Sequence, residues 1–248
     1  MTPILVAHRG YMHRYPENSI SGIRAAIDAG ACIIEFDVQM TADQAFVLLH
    51  DDNFKRTAGV AGSVFDQSFS ASISVHEPER FEDQFKGEPL PLLEQVLALV
   101  SANPQLTVFV EIKQESLKQW GVDRVMSNLI AALKPIQQQC VIISFDLDAV
   151  TYVKTQSKFR AGWVLHRYDE QHQMLAQQLS PQYLICNYKK VTDDLWPGNW
   201  QWMLYDIDKP ELALMWANKG VALIETSDIG GMLEHPVLAG RACHPESD

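Results

Sequence analysis

The sequence lacks any run of about 18 consecutive apolar residues, which excludes a membrane-spanning helix. Basic residues are scarce. Against 31 Asp and Glu stand only 20 Lys and Arg, a formal net charge of −11. Nucleic acid and anionic membrane surfaces are held by an excess of Lys and Arg, so neither a nucleic-acid partner nor stable membrane association is expected. Any handling of phosphate must come from a local basic spot. The opening MTPILVAHRG has neither the basic start nor the apolar stretch of a secretory signal, and the expected location is the cytoplasm. Among four cysteines there is no CxxC spacing. Cys32, Cys140 and Cys186 lie in apolar runs and Cys243 lies near the end, so free, buried thiols are expected of a reducing compartment. No HxH spacing accompanies them, which argues against zinc. A glycine-rich dinucleotide fingerprint after an early strand is missing, which argues against an open doubly wound sheet. Heptads are missing too; coiled-coil assembly is excluded and the oligomeric state is not legible.

What is present is a large apolar fraction, 47% of 248 residues, enough for one substantial core. Short runs rich in β-branched residues recur, each followed by a longer segment with helical periodicity. Strands are expected at 4–7, 32–38, 106–112, 140–145, 161–165, 183–186, 202–207 and 221–224. Amphipathic helices are expected at 19–29, 92–101, 117–133, 147–156, 170–178 and 210–217. Asn18, Asp146 and Asp169 are the expected N-caps of three of these, and Gly30 and Gly220 end two. Eight strands alternating with helices fit a closed (β/α)8 TIM barrel, with residues 1–248 forming a single domain. Residues 52–88 break the alternation and are too long for an ordinary connection. They read as a small insertion after the second strand, over the carboxyl-terminal mouth where barrel active sites lie. The tail 240–248 reads as disordered.

Ionisable residues interrupt the strand runs near their carboxyl ends. Residues 4–7 lead into His8-Arg9-Gly10, the second strand carries Glu35 and Asp37, the run 46–49 leads into His50-Asp51, and the third strand of the barrel carries Glu111 and leads into Lys113. Each alone has an ordinary explanation as a capping, ion-paired or rim group. Their joint occurrence does not, because lone buried charges are costly. Glu35 and Asp37 are two apart and share one face of a strand, as do Glu111 and Lys113. Carboxylates on an inward face repel and are expensive to bury, which a divalent cation relieves; three carboxylates suit a hard ion, Mg²⁺ or Ca²⁺. A phosphodiester needs cations on its phosphoryl oxygens, a base for the nucleophile and an acid for the departing alkoxide. Two histidines can divide the proton roles, and the fork of Arg9 suits phosphate.

At these residues the sequence resembles the glycerophosphodiester phosphodiesterase family. The resemblance rests on VAHRG at 6–10, PENS at 16–19, IEFDVQMTAD at 34–43, LLHDD at 48–52, RTAG at 56–59 and VEIK at 110–113, in the family's order and spacing. It implies a metal-dependent (β/α)8 barrel with an insertion after its second strand. It further implies His8 and His50 as the acid and base pair, Glu35, Asp37 and Glu111 as metal ligands, and Arg9 and Lys113 as phosphate contacts. The implied reaction converts glycerophosphodiesters to sn-glycerol 3-phosphate and an alcohol, through a cyclic phosphodiester that water opens. Which histidine is base and which acid is not legible.

The second half departs from the family pattern. Ile143-Ser144-Phe145 keeps the serine-phenylalanine strand end, so Phe145 is expected along the substrate cleft. Tyr205-Asp206-Ile207-Asp208 stands where the family has tryptophan, threonine, a hydrophobic residue and asparagine, which makes Tyr205 the expected substrate contact there. The last strand runs into Glu225-Thr226-Ser227-Asp228-Ile229 without the common proline. These changes bear on which alcohol group is selected. His13, His76, His166, His172, His235 and His244 have no matched ligand spacing and read as hydrogen-bonding residues. Trp196, Trp200 and Trp202 read as packing or as a lip over the cleft. Two other functions stay open: lysophospholipase D-type cleavage of lysolipids, for which Phe65, Phe69, Phe81 and Phe85 could form an acyl-facing lip rather than a small core of the insertion, and a phosphodiester-binding barrel without turnover. The expected partner in the leading reading is a small glycerophosphodiester.

Overall fold

Each expected strand run pairs with its neighbour in the computed structural model, which describes residues 2–66, 73–192 and 194–239. Among them nine strands form: β1 (Ile4–Ala7), β2 (Ile33–Met40), β3 (Phe46–Leu48), β4 (Thr107–Ile112), β5 (Cys140–Ser144), β6 (Arg160–Val164), β7 (Tyr183–Asn187), β8 (Gln201–Tyr205) and β9 (Leu223–Thr226). All but β3 are parallel, and β1 bonds to both β2 and β9, so eight strands close into a barrel. The helices, in chain order, are α1 (Ile20–Asp28), α2 (Lys55–Ala58), α3 (Pro78–Phe81), α4 (Leu93–Ser101), α5 (Gln114–Trp120), α6 (Val122–Leu133), α7 (Leu147–Gln156), α8 (Glu170–Leu179), α9 (Pro210–Asn218), α10 (Ile229–Leu233) and α11 (Pro236–Ala239). None is long and apolar enough to cross a membrane.

Two cores follow from strand parity, since successive side chains point to opposite faces. Val6, Ile33, Phe109, Val141, Ile143, Val164, Ile185, Met203 and Leu223 pack inside the ring. The alternate residues, Ile34, Val108, Val110, Ile142 and Leu204 among them, pack outward against the helices. Trp196 and Trp202 belong to that outer layer, with ring centroids 5.9 Å apart and Tyr168 stacked on Trp196 at 4.1 Å. Packing therefore accounts for both.

Strand β3 lies outside the barrel. It is antiparallel to β2, pairing Val38 with Leu48 and Met40 with Phe46. Strand β2 overshoots the barrel, and the hairpin turns the chain back until the Leu49 amide donates to the Asp37 carbonyl at 3.2 Å. His50 thus reaches the mouth from above. The stretch between β3 and α4 has its own small core, in which Phe54, Ala58, Val64, Val75 and Leu90 close over Val47 and Leu49. Phe65 meets Trp120 edge-on at 6.1 Å, while Phe81 packs on Phe85 at 5.1 Å and Phe85 on Tyr15 at 5.5 Å. Phe69 and the tail 240–248, with Cys243 and His244, lie outside the described residues.

Several local expectations are corrected. The N-cap of α1 is Ser19, whose hydroxyl accepts from the Gly22 amide, because Asn18 is turned inward at φ 54°. Asp146 and Asp169 do cap α7 and α8. Gly30 and Gly220 adopt positive φ after α1 and α9. Cys140 and Cys186 are buried free thiols. Cys32 is disulfide-bonded rather than free; it sits half-buried just before β2, at the edge of the inner core. The expected helix 117–133 is two helices, α5 and α6, broken at Gly121, whose φ of 84° and ψ of 142° only glycine adopts readily. A Cβ there would meet nothing within 4 Å, so the cost of a side chain is purely one of backbone conformation. Gly121→Ala should therefore lower unfolding free energy by about 1–3 kcal/mol in urea denaturation; unchanged stability would mean that the break tolerates ordinary residues.

Candidate active site

The inward faces of the strands run from apolar at the bottom to ionisable at the top. Val6 is followed two residues on by His8, Ile33 by Glu35 and Asp37, Phe109 by Glu111 and Lys113, Ile143 by Phe145, Met203 by Tyr205, and Leu223 by Glu225. Together these groups enclose a cavity of about 190 Å³ at the carboxyl end of the barrel, lined by His8, Arg9, Glu35, His50, Glu111, Lys113, Phe145, Tyr205, Asp206 and Glu225. That is a compact site, smaller than the roughly 300–1,000 Å³ pockets that hold drug-sized ligands. Eight of the nine residues singled out from the sequence line it. Asp37 lies beneath, 1% exposed.

Asp37 is the most heavily contacted carboxylate. One oxygen lies 3.0 Å from Arg9 Nε and accepts from Asn18 Nδ2 at 2.9 Å; the other lies 3.3 Å from Lys113 Nζ. Burial alone would raise its pKa, but Arg9 and Lys113 outweigh it and hold the group well below the usual carboxylate range. Glu111 accepts from Lys113 Nζ at 2.7 Å, yet burial still carries it up to about 7. Glu35 has less help. Its Oε2 accepts the Arg9 amide at 3.1 Å, and burial, followed by the charges of Asp37, Glu225 and Glu111, drives it well above its usual range.

The histidines differ in setting. His8 Nε2 lies 3.9 Å from Glu35 Oε2. Burial, then the adjacent Arg9, lowers its pKa to about 3, so the ring is neutral at physiological pH. His50 is also lowered, mainly by burial, but its Nδ1 is paired with Asp51 Oδ1 at 2.7 Å. That contact fixes the ring and leaves Nε2 for other partners. Asp51 is held in turn by Arg56, Nε to Oδ2 at 2.9 Å.

A chain of ion pairs links this wall to the cavity floor. Arg56 forks onto Glu17 at 2.6 and 2.7 Å, and Arg9 reaches the same carboxylate at 2.9 Å. The Glu17 amide donates to Glu77 at 2.5 Å, tying the 52–88 stretch to the loop before α1. Arg9, Asn18 and Asp206 all adopt positive φ, 52°, 54° and 67°, and such strain concentrates where a site over-determines the backbone. Gly10, at φ 80°, lets the turn after His8 close on α1: a Cβ there would stand 2.8 Å from the Gly22 carbonyl carbon.

The donor set suits a hard divalent cation. Glu35, Asp37 and Glu111 each offer an oxygen within 4.8 Å of the others, and the crowding that raises Glu35 and Glu111 is what a cation would relieve. Sequence reasoning missed Glu17, Asn18, Asp51, Arg56, Asp206 and Glu225 as parts of the site. Glu225 had a signal, an acid two residues after Leu223 in an apolar run. His166, expected to be ordinary, stacks on Phe145 at 4.5 Å.

Comparison with known proteins agrees with this architecture. The profile of the Glycerophosphoryl diester phosphodiesterase family matches residues 8–221, and the chain belongs to that family. A glycerophosphodiester phosphodiesterase of Bacillus altitudinis is 30% identical over 145 residues, 58% of each chain. One from Caldanaerobacter subterraneus subsp. tengcongensis is 31% identical over 156 residues, 62% of this chain and 63% of that one. The chain thus spans about three fifths of the length of these two relatives. Among solved structures, an Oleispira antarctica phosphodiesterase in complex with the product sn-glycerol-3-phosphate superposes with a TM-score of 0.80 at 18% identity, covering 94% of this chain and 96% of that one. At that identity it establishes the barrel fold.

Asn18 is the simplest lever on the floor of the site, because its carboxamide both donates to Asp37 Oδ2 and accepts the Asp37 amide at 3.0 Å. Asn18→Ala orphans a buried amide and should cost about 1–3 kcal/mol of stability in denaturant unfolding of the metal-free protein. A variant as stable as the parent would show that these contacts are replaced by water.

Proposed function

We propose that this protein is a metal-dependent glycerophosphodiester phosphodiesterase, releasing sn-glycerol 3-phosphate and an alcohol. The observation that carries the reading is the convergence, on one cavity, of two histidines, two basic residues and buried carboxylates from separate strands. Family membership supports the reaction class. The product bound to the Oleispira antarctica protein supports glycerol phosphate as the retained half of the substrate. The reading takes residues 1–248 as one catalytic domain, with 52–88 as an insertion that braces the mouth through Arg56 and Glu77.

Glu35, Asp37 and Glu111 would hold Mg²⁺ or Ca²⁺, which when bound supplies Lewis-acid polarisation of the phosphate and acidifies a neighbouring hydroxyl. Arg9 and Lys113, already poised on the carboxylates, share their remaining N–H donors with the phosphoryl oxygens. His8 and His50 divide the proton traffic: one takes the proton of the attacking hydroxyl, the other gives a proton to the departing alkoxide. Asp51 orients His50 for its part. Phe145 and Tyr205 form the apolar walls that position the substrate.

Two other readings have less support. Phe65, Phe81 and Phe85 pack on Trp120, Tyr15 and each other, which leaves little for an acyl-facing lip. A binding barrel without turnover gives no account of two histidines facing one cavity. The test is release of sn-glycerol 3-phosphate from glycerophosphocholine and glycerophosphoethanolamine with Mg²⁺, with Ca²⁺ and with chelator. His8→Ala and His50→Ala should each lower kcat roughly 10²–10⁴-fold, and Glu35→Ala should remove the response to metal. Turnover of lysophospholipids alone would favour the lipid-active alternative, and silence on every diester would favour the binding barrel.

A further inference from the structure

The neutralisation of the cavity floor is lopsided. Lys113 and Arg9 stand on the β2 and β4 side, where they pair with Asp37 and Glu111. On the β9 side is Glu225, 4% exposed and lining the same cavity. Its Oε1 is buried with no hydrogen-bond partner among the described residues. Such an atom is costly whether the group is ionised or neutral, since a neutral carboxyl also needs partners when dry. Parity turns Glu225 inward after Leu223, and register sets it beside Val6, two residues before His8. One of its oxygens lies within 4.8 Å of both a His8 ring nitrogen and a Glu35 oxygen. Glu35 therefore belongs to two clusters at once, one with Asp37 and Glu111 and one with His8 and Glu225. Counting formal charges on the floor, four carboxylates face two cations, a surplus of two negative charges that one divalent ion cancels. Without Glu225 the surplus is one.

We propose that Glu225 is a ligand of the divalent cation, joining Glu35, Asp37 and Glu111 from the last strand, on the far side of β1 from β2. This rests on the reading of the mouth as a cation site. It adds to that reading a donor from the last strand, in a part of the chain that departs from the family pattern. It also gives the unpartnered Oε1 its partner. An additional anionic ligand strengthens binding of a hard cation and tunes its affinity by charge count.

The experiment is calorimetric titration of Mg²⁺, Ca²⁺ and Mn²⁺ into the metal-free protein, its Glu225→Gln variant and, as reference, Glu111→Gln. Glutamine keeps the size of the side chain and removes the charge. Glu225→Gln should weaken binding on the order of tenfold or more, with far-ultraviolet circular dichroism unchanged. Parent-like affinity in Glu225→Gln beside weakened binding in Glu111→Gln would overturn the role of Glu225 and leave the cation site standing. No binding by the parent protein would overturn both. Should Glu225→Gln fail to fold, anomalous scattering from crystals of the unaltered protein soaked in Mn²⁺ decides the matter. A peak at about 2.0–2.6 Å from a Glu225 oxygen supports the proposal, and a peak held by the other three carboxylates alone refutes it.

Discussion

The burial of Asp37 between Arg9, Lys113 and Asn18 is the contact on which the rest of the mouth depends. A carboxylate 1% exposed is tolerable only when its charge and its lone pairs are met, and here three elements meet them. Arg9 comes from the turn after β1, Asn18 from the loop before α1, and Lys113 from just beyond β4. The requirement explains the strained backbone at Arg9 and Asn18, whose positive φ values aim both side chains at one point. It also explains why the carboxylates beside Asp37 are so differently placed. Arg9 is shared between Asp37 and Glu17, and Lys113 between Asp37 and Glu111, so Glu35 and Glu225 remain under-neutralised.

That imbalance is the chemical character of the site. Paired charges would make a rigid, inert rim, whereas unpaired buried acids make a site that gains most when a cation arrives. The histidines fit the same logic. His8 is kept neutral by burial and by Arg9, and His50 is oriented by Asp51. Two histidines in unlike settings are what the proposed division of acid and base roles requires. The ion-pair chain from Asp51 through Arg56 and Glu17 to Arg9 extends the constraint outward, so that the 52–88 stretch and the barrel floor share one network.

Much of this was legible beforehand because strand periodicity is local. The alternation that turns Ile33, Glu35 and Asp37 to one side is visible in five residues, and the eight strand runs expected from the sequence end within a few residues of the strands observed. The break at Gly121 is not legible in the sequence, since the apolar spacing of α6 continues backward into α5 and hides a glycine that looks ordinary there. Asn18 reads as a cap because it precedes a helix; its inward turn depends on Asp37, 19 residues away. Glu17 and Arg56 read in sequence only as letters of motifs, for their meaning lies in a contact spanning 39 residues.

By itself, then, the sequence determined the barrel and the inward acids and bases of its early strands, because both follow from a side-chain period of two and from the cost of leaving charge in an apolar run. Only the tertiary structure decided which of those groups neutralise one another. Closure of β1 against both β2 and β9 brings Glu225 to within reach of Glu35 and His8, and the overshoot of β2 with its returning hairpin delivers His50. Electrostatic partnership depends on distance in space, and distance between the first and last strands is fixed by ring closure.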